Sequence, residues 1–357
     1  MTTFRPNQFR ALKTPGEYRE GRWRSFEPRD PVPKTLRGRE HRLRPGLTFT
    51  PYANPTPCNA HCSFCSEELL RNDAHRLTAQ TIIGDHDQYF AGLHRAWTEL
   101  AGFEMGLSLS GLEATSHPAW LLRLLALVRT HGAIFPSRVL YTNGSGLVND
   151  GRLIPALVES EFTGVELSRA HFDARLNHLV MRFDRGQAIR EASQFTRVVT
   201  EVIAAGLALK LVCIVNELAV SKLEHVERYV DQARELGVTR VVFRALSELG
   251  DLYVDNKTTR WIASKRVSVR AMAEAIFPND GTLRPGWEFV GVTSGYYYSN
   301  EIYVRRGVEV VFESSSYVAH DDGVKSGVLQ KLVFHSNGDL CGDWVPNAQV
   351  IGNYFTP

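Results

Sequence analysis

Between residues 47 and 245 the chain alternates short apolar runs rich in β-branched residues with longer segments of helical period. No other property of the sequence limits its fold as tightly. The reading runs strand Leu47–Tyr52, helix Thr78–Leu100, strand Gly106–Ser110, helix Pro118–His131, strand Arg138–Tyr141 and helix Val148–Glu159. It continues with strand Gly164–Ser168, helix Gln187–Ala205, strand Ala208–Val215, helix Ser221–Leu236 and strand Thr239–Ala245. Consecutive strands joined by a helix pair in parallel through right-handed crossovers, so six such units predict one parallel sheet covered by helices.

Composition removes several alternatives. With 43% hydrophobic and 22% charged residues the chain is ordinary for a globular protein, and its 357 residues suit one α/β unit of about 200–250 residues with appendages. A net charge of only +2 argues against nucleic-acid binding. No apolar run reaches the length of a membrane helix; the best, around Trp120–Val128, is broken by Arg123. Residues 1–45 stand apart: they are basic, rich in proline and aromatics, and follow neither helical nor strand period. They are expected to form an extended arm along the main domain, with an anionic partner as the sharper reading. No apolar stretch of a secretory signal follows these charges, so a cytoplasmic location is expected.

The five cysteines are Cys58, Cys62, Cys65, Cys213 and Cys341, an odd number that argues against a disulfide framework. Three of them lie in one short stretch, Cys58-Asn-Ala-His-Cys62-Ser-Phe-Cys65. Pro51, Pro55 and Pro57 keep the preceding segment out of helix, so the triplet belongs to a loop after a strand. Thiolates this close converge on one metal centre. Zinc is one candidate, with His61 or a distant residue as fourth ligand. However, His61 is adjacent to Cys62 and reaches the same ion poorly, and no second Cys-x2-Cys or His-x3-His pair exists. Three thiolates without a fourth also suit a [4Fe–4S] cluster whose open iron takes a small chelating ligand.

The C-x3-C-x2-C spacing, with aromatic Phe64 before the third cysteine, resembles the signature loop of the radical S-adenosylmethionine (radical SAM) superfamily. The resemblance implies an open (β/α)6 TIM-like partial barrel and one [4Fe–4S] cluster on Cys58, Cys62 and Cys65. It further implies SAM chelating the fourth iron and one-electron cleavage of SAM to a 5′-deoxyadenosyl radical that abstracts a hydrogen atom from substrate. Further segments at the C-terminal ends of the strands are similar to family motifs. Leu109-Ser110-Gly111-Leu112-Glu113-Ala114 resembles the Gly-Gly-Glu-Pro motif that holds the SAM amino group, with Ser110 and Ala114 as departures. Tyr141-Thr142-Asn143-Gly144 resembles the turn after the third strand. Ser168, Arg182, Asn216 and Leu246 fall where the family contacts the carboxylate, ribose and adenine of SAM.

Strand alternation adds an expectation of its own. Ser108 and Ser110 face inward, as do Glu166 and Ser168, Lys210 with Val212 and Asn216, and Arg244, while Cys213 points outward into the core. Glu166, Lys210 and Arg244 are then either a structural ion-pair network or contacts to SAM or a polar substrate. After residue 250 the pattern changes. Helix Ala263–Ile276 and strands Gly295–Ser299, Ile302–Arg305, Val308–Glu313 and Lys331–His335 suggest an α+β cap over residues 251–357 that carries specificity. Asn337-Gly338 marks a tight turn. Tyr253 and Tyr296–Tyr298 are candidates for a sugar or base pocket. Only Cys341 remains in this region, too few for a second cluster; as a thiol near the barrel mouth it is a candidate hydrogen donor.

The expected function is hydrogen abstraction from a small polar molecule, such as a sugar, nucleoside or amino-acid-derived metabolite, with natural-product biosynthesis as one setting. Rearrangement, elimination, epimerisation or oxidation would follow, with electrons from a donor such as flavodoxin or ferredoxin. Two other readings stay open: modification of a peptide, and a non-catalytic iron–sulfur scaffold or sensor.

Overall fold

The computed structural model describes residues 30–69, 82–251 and 253–356 in full, and the backbone of two short strands at 16–19 and 22–25. The strands are β1 (Gly16–Arg19), β2 (Arg22–Ser25), β3 (Val32–Leu36), β4 (Arg39–Tyr52), β5 (Gly106–Leu109), β6 (Ser137–Thr142), β7 (Gly164–Ser168) and β8 (Ala208–Ile214). They continue with β9 (Arg240–Arg244), β10 (Trp287–Ser294), β11 (Tyr298–Arg305), β12 (Val308–Ser315), β13 (Leu329–His335), β14 (Asp339–Cys341) and β15 (Val350–Asn353). The helices between β4 and β9 are α1 (His86–Glu99), α2 (Pro118–Thr130), α3 (Ser145–Asn149), α4 (Leu153–Glu159), α5 (Ala174–Met181), α6 (Ala192–Ala204) and α7 (Leu223–Glu235). After β9 come α8 (Lys257–Lys265), α9 (Val269–Ile276) and α10 (Tyr317–Val324).

All fifteen strands belong to one sheet, in the order β15-β14-β13-β4-β5-β6-β7-β8-β9-β12-β11-β10-β1-β2, with β3 paired to β4. From β4 to β9 the pairing is parallel throughout, as the βα alternation requires. The C-terminal segment enlarges this array at both edges: β12 adds in parallel to β9 and β13 adds in parallel to β4. No pair among the described residues joins β12 to β13, so the barrel stays open.

Local chemistry explains the elements. In α7 the buried residues Leu223, Val226, Tyr229, Val230 and Ala233 recur at helical spacing, giving one apolar stripe to lay on the sheet. Asp85 caps α1 by accepting from the Gln88 amide, and Pro118 opens α2 behind a His117 cap. Strand alternation holds as read. Leu211, Cys213, Val241 and Phe243 join the main core under the helices. Val212, Val242 and Val311, side by side in register, form a separate cluster on the inner face.

Boundaries moved in six places. Helix α1 starts at His86, and residues 78–81 of the expected helix lie outside the described ones. The helix expected over 148–159 is two, broken at Asp150, and α6 begins at Ala192 after a 3₁₀ turn, Ala188–Arg190. The helix expected at 263–276 is also two, parted at Arg266–Ser268. β10 was not anticipated, and the tyrosine run read as a strand is largely the bend between β10 and β11. Finally, β4 starts at Arg39, so the last part of the basic arm is a β-hairpin with β3 that runs straight into the barrel.

Candidate active site

The cysteine loop leaves the C-terminal end of β4 and is tied down on two sides. His61 N–H donates to the Arg182 carbonyl and Ser63 N–H to the Val180 carbonyl, both at 3.0 Å, while Asp184 N–H donates to Asn59 O at 3.0 Å. Arg182 adopts a left-handed φ of 50° at the end of α5, which aims its carbonyl at the loop; its side chain is exposed. On the other side Asn59 Nδ2 donates to Ser145 Oγ at 2.7 Å and Asn143 Nδ2 donates to Asn59 Oδ1 at 2.9 Å. Asn143 Oδ1 accepts from the Ser145 amide at 2.9 Å. The residue between Cys58 and Ala60 is thereby locked to the turn after β6.

Burial pushes the Cys58 thiol up to about 12 and raises Cys62 and Cys65 as well. After burial, the largest contributions at Cys62 are Cys65 and Cys58 themselves. Cys62 thus sits beside two thiols that each disfavour its ionisation, a setting that a cationic centre would relieve. No group of three His, Cys, Asp or Glu among the described residues is close enough to hold a single ion. His61 turns away to pair with Asp184 at 3.1 Å, so it is not a fourth ligand. Three thiols on one loop, with Cys62 coupled in charge to both others, are the donor set that an iron–sulfur cluster takes.

Beside the loop lies a cavity of about 610 Å³, which Ser66 reaches from next to Cys65. Its wall takes one inward residue from nearly every barrel strand: Thr48, Ser108, Tyr141, Glu166, Arg244, Glu313 and Lys331. The three charged residues singled out by alternation do meet. Glu166 accepts from Lys210 Nζ at 2.9 Å and lies 3.8 Å from Arg244. Glu313 of β12, which sequence reasoning missed, completes the group by pairing with the Arg244 guanidinium. Two cations against two carboxylates leave this wall neutral. Tyr253 lines the cavity with its ring 5.5 Å from that of Tyr317.

The motif residues divide. Ser110 and Gly111 line the cavity. Gly111 has φ +94°, and a Cβ there would lie 2.1 Å from the Tyr52 ring, so only glycine fits. Glu113 is buried and internally satisfied: it accepts from Thr115 N and Oγ1 at 3.1 and 2.5 Å, from Thr142 Oγ1 at 2.6 Å and from the Asn143 amide at 2.6 Å. Burial still raises its pKa against those donors. Glu113 thus braces the β5 loop against the β6 loop. Ser168 is half-buried at the end of β7, and Asn216 is buried with its amide spent on Ile214 O and Leu218 N. Leu246 packs with Leu69 and Ile262, and Phe64 lies against that cluster. Cys341 is fully buried in β14, its thiol pushed up to about 12 by burial, and is not part of the cavity wall.

A second polar group was also missed. Lys331, His320 and Asp343 line the side of the cavity under β13, with the rings of Trp344 and Tyr297 beside Lys331 at 4.9 and 5.3 Å. The available signal was a single lysine inside an apolar strand, Leu329-Gln-Lys-Leu-Val-Phe-His335.

No family model and no curated protein sequence matches the chain. Among solved structures it is similar to Streptococcus suis SuiB bound to S-adenosylmethionine, with TM-score 0.51 and 14% identity over 88% of this chain and 64% of that one. A second crystal structure of SuiB gives TM-score 0.50, with the same identity and coverage. Coproporphyrinogen III oxidase (HemN) from Escherichia coli, described as a radical SAM enzyme, gives TM-score 0.42 and 12% identity over 73% of this chain and 67% of that one. At this identity the likeness shows the fold alone, an open barrel like that of SuiB. The chain spans about two-thirds of the length of SuiB, just under that fraction at 64%. In this barrel the cysteine triplet follows the strand β4 and the cavity opens at the same C-terminal strand ends.

Proposed function

We propose that this chain is a radical SAM enzyme that uses one [4Fe–4S] cluster and S-adenosylmethionine to abstract a hydrogen atom from a small, hydroxyl-bearing polar molecule. The observation that carries the reading is a loop of three cysteines, with Cys62 coupled in charge to both others, running beside a barrel cavity that Ser66 lines. Cys58, Cys62 and Cys65 hold the cluster. When bound, the cluster and SAM supply a 5′-deoxyadenosyl radical, which is chemistry no side chain here can provide.

The protein's own part is positioning and exclusion of water. Asn59, Asn143 and the Val180–Asp184 segment hold the cysteine loop rigid. Ser110 and Gly111 give the SAM end of the cavity a polar wall without bulk, and Glu113 fixes that wall from behind. Ser168, Arg182, Asn216 and Leu246 stand outside the cavity wall, so the SAM contacts of this reading rest on Ser110 and Gly111. The substrate end is lined by tyrosines and serines around the neutral Glu166–Lys210–Arg244–Glu313 group. Aromatic faces with many hydroxyls suit a polyhydroxylated ring, such as a sugar or nucleoside.

Anaerobic reconstitution followed by dithionite and SAM tests this directly. The expected outcome is release of 5′-deoxyadenosine that disappears in Cys58→Ala, Cys62→Ala and Cys65→Ala. A fully loaded protein that leaves SAM intact would overturn catalysis in favour of a scaffold or sensor role.

A further inference from the structure

The β13 wall of the cavity carries a polar centre that the cysteine chemistry does not use. Lys331 is 4% exposed, in a strand whose next residues, Leu332, Val333 and Phe334, are apolar and fully buried. Its Nζ lies 2.8 Å from His320 Nε2. A lysine donating to Nε2 leaves the imidazole proton on Nδ1, which faces Asp321 Oδ1 at 3.6 Å. The Lys331 Nζ also lies over the rings of Tyr297 and Trp344 at 5.3 and 4.9 Å, and Lys331 lines the cavity, where a bound molecule reaches it.

Every element packed on Lys331 contributes to its setting. Helix α10 brings His320 and Asp321, and the segment after β14 brings Asp343, 3.9 Å from His320. The bend before β11 brings Tyr296 and Tyr297, whose rings lie 6.1 and 5.7 Å from that of His320. Strand β4 sets Thr48 opposite in register, without charge. On β13 itself His335 sits four residues on, its Nε2 3.4 Å from the Asp343 carbonyl.

We propose that Lys331 and His320 are a proton-transfer pair that acts on a hydroxyl of the substrate. In the step, the neutral amine of Lys331 takes the hydroxyl proton. The O–H bond breaks, an N–H bond forms, and the electron pair stays on oxygen as an alkoxide facing the new ammonium. His320 accepts a hydrogen bond from that ammonium, and Asp343 and Asp321 hold its charge. No oxidant or reductant is consumed. Burial lowers Lys331 to about 7 against the opposing pull of Asp343 and Asp321, so both amine and ammonium are populated near neutrality. The inference rests on reading the cavity as the substrate chamber, independently of whether the cluster is catalytic.

The test uses the full chain, as isolated and after reconstitution, pulsed with acetic anhydride across neutral to alkaline pH and read by peptide mass spectrometry. Lys331 is expected to acylate with a midpoint near 7, while surface lysines follow the ordinary value of about 10.4. In His320→Leu the midpoint falls by about one unit, because the ammonium loses its acceptor. If that variant does not fold, the wild-type midpoint decides alone. Lys331 titrating with the surface lysines, failing to react while they do, or ignoring His320→Leu would overturn the pair. The readout needs no turnover, so a protein that leaves SAM intact does not touch this result, and an unreactive Lys331 does not touch the cysteine loop.

Discussion

Gly111 shows how one residue couples backbone and site. Its left-handed φ and the Tyr52 ring against its α-carbon exclude any side chain, while its backbone forms cavity wall. Gly111→Ala is expected to destabilise the protein by about 2–4 kcal/mol, from strain plus overpacking, as a lowered thermal midpoint. Lys331 gives a prediction with a pH sign. Its folded pKa is about 7, below the ordinary lysine value near 10.4, so between these the unfolded chain binds more protons and stability rises with pH. The burden of burying it is fully present below pH 7 and fades as pH climbs toward the ordinary value. Lys331→Met is therefore expected to melt higher than the wild type at neutral pH, by roughly 2–4 kcal/mol, with the gap closing at alkaline pH. Alternation along the strands made Glu166, Lys210 and Arg244 legible, because a period of two decides which way each residue points. Lys331, His320 and Glu313 were not, because their meeting depends on strands that enter the sheet out of sequence order.

At the scale of elements, the six βα units were legible because helical and strand periods differ and the connections are short. The role of the C-terminal segment was less so. Apolar runs announce β12 and β13 as strands, but nothing local in them says that one joins β9 and the other β4. The first half of β4 was hidden by its charges: Arg39, Glu40, Arg42 and Arg44 give an edge hairpin the composition of a loop. The cysteine loop depends on its neighbours in the same way. Asn143→Ala removes two hydrogen bonds, each contributing about 1 kcal/mol: one ties Asn59 to the turn after β6 and the other, from the Ser145 amide, shapes that turn. The expected result is a folded protein whose reconstituted iron is lost several times faster on desalting, read by iron content against time. Equal retention would mean that the loop holds its shape without this tie.

For the whole molecule, the open barrel puts the cysteine loop and a chamber of about 610 Å³ at one end of a single sheet, and the C-terminal strands β12 and β13 add Glu313 and Lys331 to its wall. No described helix is long and apolar enough to cross a membrane. The central claim is that three sulfurs hold a cluster whose vacant iron accepts SAM. Electron paramagnetic resonance of the anaerobically reconstituted, dithionite-reduced protein, recorded with and without SAM, measures this most directly. A reduced [4Fe–4S] signal that changes line shape on SAM addition, and is absent in Cys62→Ala, is the expected result. A signal indifferent to SAM, or a colourless protein with tetrahedral zinc on the three thiolates, would contradict it.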